Sequence, residues 1–102
     1  MYKIHSFKKS KFIKYKITTE AKNILASSSI ESITEIDGNI YIGISNHILK
    51  YDYRTNIISV IVSDIGSPIN VLCPTNDGKI LVGTDSKGLF VMSKDGQTSP
   101  YL

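Results

Sequence analysis

The stretch Asp-Gly-Asn-Ile-Tyr-Ile-Gly at residues 37–43 recurs without a gap as Asp-Gly-Lys-Ile-Leu-Val-Gly at residues 77–83. In both copies an apolar run precedes the Asp-Gly pair, and alternating apolar residues follow it. Asp-Gly favours a β-hairpin, because a type I′ turn needs positive φ angles that Asp tolerates and glycine adopts easily. The repeat therefore predicts two copies of a hairpin with type I′ turns.

Each copy extends on both sides into further short apolar segments with a period of two, which is typical of strands and not of helices. The first copy predicts strands at 30–36, 40–44, 48–53 and 57–62, with a turn at 54–56 before the last. The second predicts strands at 69–73, 80–84, 89–92 and 98–102, with Asp95-Gly96 as the last turn. The sequence thus predicts two antiparallel four-stranded meanders.

The N-terminal residues look like the end of a preceding unit. Strands are predicted at 2–7 and 12–17 around a turn at 8–10, and an outer strand at 21–26, where a single helical turn is the alternative. The predicted organisation is a partial N-terminal blade at 1–29 (a basic hairpin plus the outer strand), a first full blade at 30–65 and a second blade at 66–102. Four-stranded repeats of this kind indicate an all-β fold, a partial β-propeller of about two and a half blades.

The repeat follows the pattern I-x-x-I…D-G-x-I-x-I-G-T/I…G-L/I-x-x-Y-D, best in residues 69–94 and also in 30–53. This pattern resembles the repeat of the two-component-regulator propeller family, although Tyr41 and Leu81 stand where that family usually has tryptophan, and His47 replaces a glycine. The resemblance implies a bacterial sensing module that binds ligands, often glycan breakdown products, or proteins. It also implies a periplasmic location if the chain is part of a sensor ectodomain.

Charge is unevenly distributed along the chain, which has a formal net charge of +3. In the first 22 residues seven lysines face one acidic residue, Glu20, and the lysines alternate with aromatic residues. Such a pattern protects an edge strand from aggregation, which we favour over nucleic-acid binding because arginine is absent there. No apolar run is long enough to span a membrane, and the N-terminus lacks the apolar core of a signal peptide, so the sequence as written predicts a cytoplasmic protein.

Few residues suggest chemistry. The single cysteine, Cys73, lies in an apolar run and is predicted to be a buried, unreactive thiol. His5 and His47 lack the neighbouring ligands of a metal site, and no cofactor motif is present. Turn formation explains the carboxylates that precede glycine (Asp37, Asp77 and Asp95). The sequence therefore predicts a protein that is not an enzyme.

Aromatic side chains are the candidate binding residues. Tyr41, Tyr51, Tyr53 and Phe90, together with Tyr101, would line a ligand surface, although packing between blades is the commoner use of such residues.

Partners are predicted from the blade count. Propellers usually have four to eight blades, so two and a half leave sheet faces uncovered. Self-association into a ring is favoured; the alternatives are a piece of a larger propeller that supplies the remaining blades, and a meander that closes on itself. A structural assembly protein and a basic nucleic-acid-associated protein are the alternative functions.

Overall fold

The computed structural model describes residues 15–101, which form two β-sheets and one short helix. Sheet A contains β1 (Lys16–Ile17), β2 (Ile30–Ile36), β3 (Asn39–Ile44), β4 (His47–Asp52) and β5 (Ile57–Val62), and sheet B contains β6 (Ile69–Pro74), β7 (Ile80–Thr84), β8 (Leu89–Met92) and β9 (Thr98–Pro100). Helix α1 spans Thr19–Ser27. The prediction of a mostly β chain with antiparallel meanders is confirmed, and the strand bounds from β2 onward agree with it to within two residues.

The strand order is β1-β5-β4-β3-β2 in sheet A and β6-β7-β8-β9 in sheet B. Consecutive strands pair antiparallel, whereas β1 joins β5 in parallel. Within residues 15–101 neither sheet closes on itself. Residues 16–17 therefore extend sheet A, and are not part of a separate preceding meander as predicted.

The two Asp-Gly turns differ in conformation. Asp37 and Gly38 have φ angles of 53° and 88°, which confirms the type I′ turn in the first copy. In the Asp77-Gly78 pair of the second copy only Gly78 has a positive φ angle, of 84°. The Thr75 carbonyl accepts the Gly78 N–H at 3.2 Å. The Thr75 N–H in turn donates to the Lys79 carbonyl at 2.8 Å, which closes a longer loop. The type I′ prediction is wrong for Asp77-Gly78, because the added loop residue lets Asp77 keep a negative φ.

The first turn allows a direct test. Gly38→Ala should lower the free energy of unfolding by about 1–2 kcal/mol, since alanine is strained at positive φ, and its Cβ would lie 3.3 Å from Cγ of Tyr53. Asp37→Asn should be nearly neutral, because asparagine also tolerates this conformation. Urea unfolding of both variants measures the difference, and an unaffected Gly38→Ala variant would contradict the type I′ turn.

The predicted outer strand at 21–26 is wrong: these residues lie in α1. Thr18 caps the helix, and its Oγ1 accepts the Ala21 N–H at 3.2 Å. Ala21, Ile24 and Leu25 have the spacing of one helical face, and they pack on sheet A against Ile44 and Leu49. The rest of the predicted partial blade, including the basic hairpin and His5, lies outside the described residues.

The main core lies between the two sheets. Sheet A contributes Tyr41 and Ile48, and sheet B contributes its side chains Ile69, Leu72, Ile80, Val82 and Met92. Hydrogen bonds also join the two sheets. Ser32 Oγ accepts the Leu72 N–H at 3.1 Å, Tyr41 Oη donates to the Lys94 carbonyl at 3.1 Å, and the Ile69 N–H donates to the Ser45 carbonyl at 2.8 Å. Sheet A is therefore covered on one face by sheet B. On the other face α1 covers the part formed by β3, β4 and β5 and leaves Ile33 on β2 exposed.

Candidate functional site

The four candidate aromatic residues do not form one surface. Tyr41 is buried between the sheets, and Phe90 packs against the same core. Tyr51 pairs with Ile40 while Tyr41 pairs with Lys50, so the two tyrosines point to opposite faces of sheet A. Tyr53, beyond the end of β4, is 63% exposed. Tyr53 is the most exposed of the four, Tyr51 is half-buried, and packing between the sheets accounts for Tyr41 and Phe90.

Tyr41 anchors the turn that follows β8. Its hydroxyl donates to the Lys94 carbonyl, which also accepts Lys50 Nζ at 3.0 Å, and Lys50 Nζ lies 5.5 Å from the Tyr41 ring centroid. Burial raises the pKa of the Tyr41 hydroxyl, and the nearby carboxylates Asp52, Asp37 and Asp95 raise it further. The hydroxyl therefore stays neutral and serves as a hydrogen-bond donor.

The sheets stack in a way that relates the two copies of the repeat. Tyr41 and Gly43 face sheet B, and a Cβ added to Gly43 would lie 3.0 Å from Ile69 Cγ2, so the missing side chain permits close packing. Sheet B meets this surface with Ile80 and Val82, whose counterparts in the first copy, Ile40 and Ile42, lie on the opposite, helix side of sheet A. The face of the first copy that carries Tyr41 and Gly43 thus packs on the face of the second copy that carries Ile80 and Val82. These two faces are not equivalent positions of the repeat.

The second copy presents the counterpart of the Tyr41–Gly43 surface to solvent. We call it the outer face of sheet B, formed by two cross-strand rows: Val71, Gly83, Leu89 and Tyr101, and Cys73, Leu81, Val91 and Ser99. Leu89 is 41% exposed, and Val71 and Tyr101 are more exposed still. No described element packs over this face, although its central residues are apolar. An uncovered apolar surface of this kind is a candidate interaction site.

Cys73 belongs to this face and is exposed, so the prediction of a buried thiol is wrong. Its neighbour Leu72 points into the core instead, as the alternation of a strand requires. The apolar run was a sound indication of a strand, but it could not show which of its faces would be covered.

Two polar clefts lie elsewhere. One, of about 390 Å³, opens where β2 and β6 begin and is lined by hydroxyl, amide and carboxylate groups of Ser28, Ser29, Glu31, Ser45, Asn70 and Asp85, together with Pro68 and Ile69. Within it the Asn70 amide donates to Asp85 at 3.0 Å. The other, of about 360 Å³, is lined by Asp37, Asn39, Lys50, Asp52, Tyr53, Arg54 and Lys94. There Lys94 Nζ and Asp37 form an exposed ion pair at 3.2 Å.

The groups with potential for chemistry are engaged in turns. His47 Nδ1 contacts the Ser63 carbonyl, and Asp64 accepts the Asn46 amide at 2.7 Å and the Gly66 N–H at 2.8 Å. These bonds, the Asn46 amide first, lower the pKa of Asp64, and hydroxyl donors from Thr75 and Ser93 lower those of Asp77 and Asp95. Among residues 15–101, no three His, Cys, Asp or Glu side chains are grouped so as to hold a metal ion.

Comparison of the chain with protein families, with curated proteins and with solved structures finds no match. In the described part of the chain, no helix is both long enough and apolar enough to cross a membrane.

Proposed function

We propose that the chain is a non-enzymatic protein-binding module whose outer face of sheet B packs against a partner protein. The observation that carries the proposal is that this face is apolar and uncovered, while its counterpart in the first copy, around Tyr41 and Gly43, is fully buried against a sheet. Burying the equivalent apolar side chains of the second copy would likewise be favourable, because it removes apolar surface from water.

As part of this proposal, the two sheets are successive blades of a β-propeller, of the kind found in the two-component-regulator propeller repeats. The head-to-tail relation of the faces supports it, since each blade of a propeller packs one face on the opposite kind of face of its neighbour. The hydrogen bond from Leu72 N–H to Ser32 Oγ, which joins the first strands of the two meanders, also supports it.

Photocrosslinking in the native cells tests the proposed function. A benzoylphenylalanine placed at Leu89, on the outer face, should give a discrete crosslinked product whose protein components mass spectrometry identifies. The matched control is the same group at Ile33, an exposed apolar strand residue of sheet A that lies off this face. A product that disappears when Val91→Lys is added supports the proposal, and equal crosslinking at both positions would sink it.

A further inference from the structure

We propose that the outer face of sheet B is the contact surface of a two-fold dimer, in which a second copy of this chain packs its own outer face against it. The inference rests on the proposed function and narrows its partner to this chain itself.

Helix α1 decides between the possible modes of self-association. A head-to-tail stack, continuing the internal order of the sheets, would place the outer face of one copy on the helix side of sheet A in the next. That side is occupied over its central strands, where Ala21 is fully buried against Ile44 and Leu49. The part over β2 that α1 leaves open, around the exposed Ile33, carries Glu31 and Glu35 and does not offer an apolar surface to the outer face. The helix side of sheet A is therefore not free to receive a second copy, whereas the outer face of sheet B is. The apolar surface that a second copy can offer to this outer face is its own outer face. An isologous contact between identical faces closes after two copies.

The chemistry of the face suits such a contact. In a two-fold interface each side chain meets the same set of side chains from its partner, so a charge near the axis would meet a like charge. The two rows of the outer face contain no charged residue, and Lys79 stands at the border, next to Ile80. This is an apolar centre with a polar rim, as in known interfaces.

The other uncovered apolar strip does not meet this requirement. Ile33 is 58% exposed on β2, but Glu31 and Glu35, two residues to either side, are exposed with it. A two-fold contact centred on Ile33 would bring these carboxylates together. The distribution of charge therefore favours sheet B over sheet A.

The size of the face sets the expected strength. Four strands spaced about 4.8 Å apart, with roughly five residues each, give a footprint of about 300 Å² in projection. Pairing two such corrugated faces removes on the order of 1,000 Å² of accessible surface, which is the lower limit for a specific interface. The dimer should therefore dissociate on dilution.

Light scattering coupled to size exclusion tests the inference, with the full chain loaded from about 1 μM to about 1 mM, a range chosen for an interface of this size. The wild-type mass should rise from 11.3 kDa to twice that value and stop there. Leu89→Lys should raise the dissociation constant at least about tenfold, because each subunit would bury an unpaired charge. Ile33→Lys, the same change at an exposed strand residue off the face, should dimerise over the same concentration range as the wild type. Thermal unfolding shows that both variants fold.

Cys73 provides a second measurement without any substitution, because it is exposed and lies on the face. Its alkylation rate should fall as the wild-type concentration rises, and stay constant in Leu89→Lys. A wild-type chain that stays at 11.3 kDa, a series of ever larger assemblies, or a dimer broken by Ile33→Lys and not by Leu89→Lys would each overturn the inference. A monomeric chain that still crosslinks to another protein through position 89 would leave the proposed function standing, whereas no crosslink above the control would remove both.

Discussion

Tyr41→Ala is expected to lower the free energy of unfolding by about 3–5 kcal/mol, the range for deleting a large buried aromatic side chain. Tyr41 is 0% exposed and contacts the core of both sheets. A domain of this size is stable by only about 5–15 kcal/mol, so the variant should be close to unfolding. Urea denaturation followed by circular dichroism measures the loss.

Two controls separate packing from the other roles of Tyr41. Tyr41→Phe removes only the hydroxyl and should cost about 0.5–1.5 kcal/mol, since the Lys94 carbonyl keeps its bond from Lys50 Nζ. Tyr53→Ala removes an exposed ring and should change stability by less than about 1 kcal/mol. If Tyr41→Ala and Tyr53→Ala were equally mild, Tyr41 would not be the anchor between the sheets.

Gly43→Val is expected to destabilise the chain by about 3 kcal/mol or more, because it overpacks the contact between the sheets. A Cβ at this position would already lie 3.0 Å from Ile69 Cγ2 and 3.5 Å from Leu72 Cγ. The two methyl groups of valine would clash with these side chains unless sheet B moved away from sheet A. The same urea titration measures the effect.

The matched control is Gly83→Val, at the equivalent position of the second copy. Its Cβ would lie 2.7 Å from Val71 Cγ1 and 3.0 Å from Asn70 Oδ1, so these side chains must move. Both are exposed and can turn toward solvent, whereas Ile69 beside Gly43 is buried in the core. Measured at low protein concentration, this variant should lose less than half as much stability as Gly43→Val. Equal losses at the two glycines would show that the outer face of sheet B is as tightly packed as the contact between the sheets.

Most of the strands could be predicted because their determinants are local. Alternation and turn residues place β5 and β8 at the predicted positions, Ile57–Val62 and Leu89–Met92. Helix α1 was missed because Ile24 and Leu25 form a short apolar pair compatible with either structure. Thr18 and the spacing of Ala21 from that pair were the available indications of a helix.

The candidate site was harder to predict, because it depends on which faces are covered. The sequence contains the apolar residues of β7 and β8, but burial of Tyr41 and exposure of Leu89 follow from how the sheets stack. The register that places Tyr51 opposite Ile40, and so away from Tyr41, is also a property of the folded sheet. Aromatic residue type therefore indicated mainly packing residues, and the proposed interaction surface consists mostly of aliphatic residues, with Tyr101 at its edge.

Helix α1 makes the two sides of the stacked sheets unequal as places where a further sheet could pack. If the two sheets are successive blades, as proposed, α1 lies over β3, β4 and β5 on the side of sheet A where a further sheet would pack, whereas no described element covers the outer face of sheet B. We therefore expect a designed additional sheet to pack more readily beyond sheet B than on the side of sheet A that carries the helix, where α1 would have to be removed first. In the proposed arrangement this nine-residue helix would have the place that a capping segment has at the end of a repeat protein.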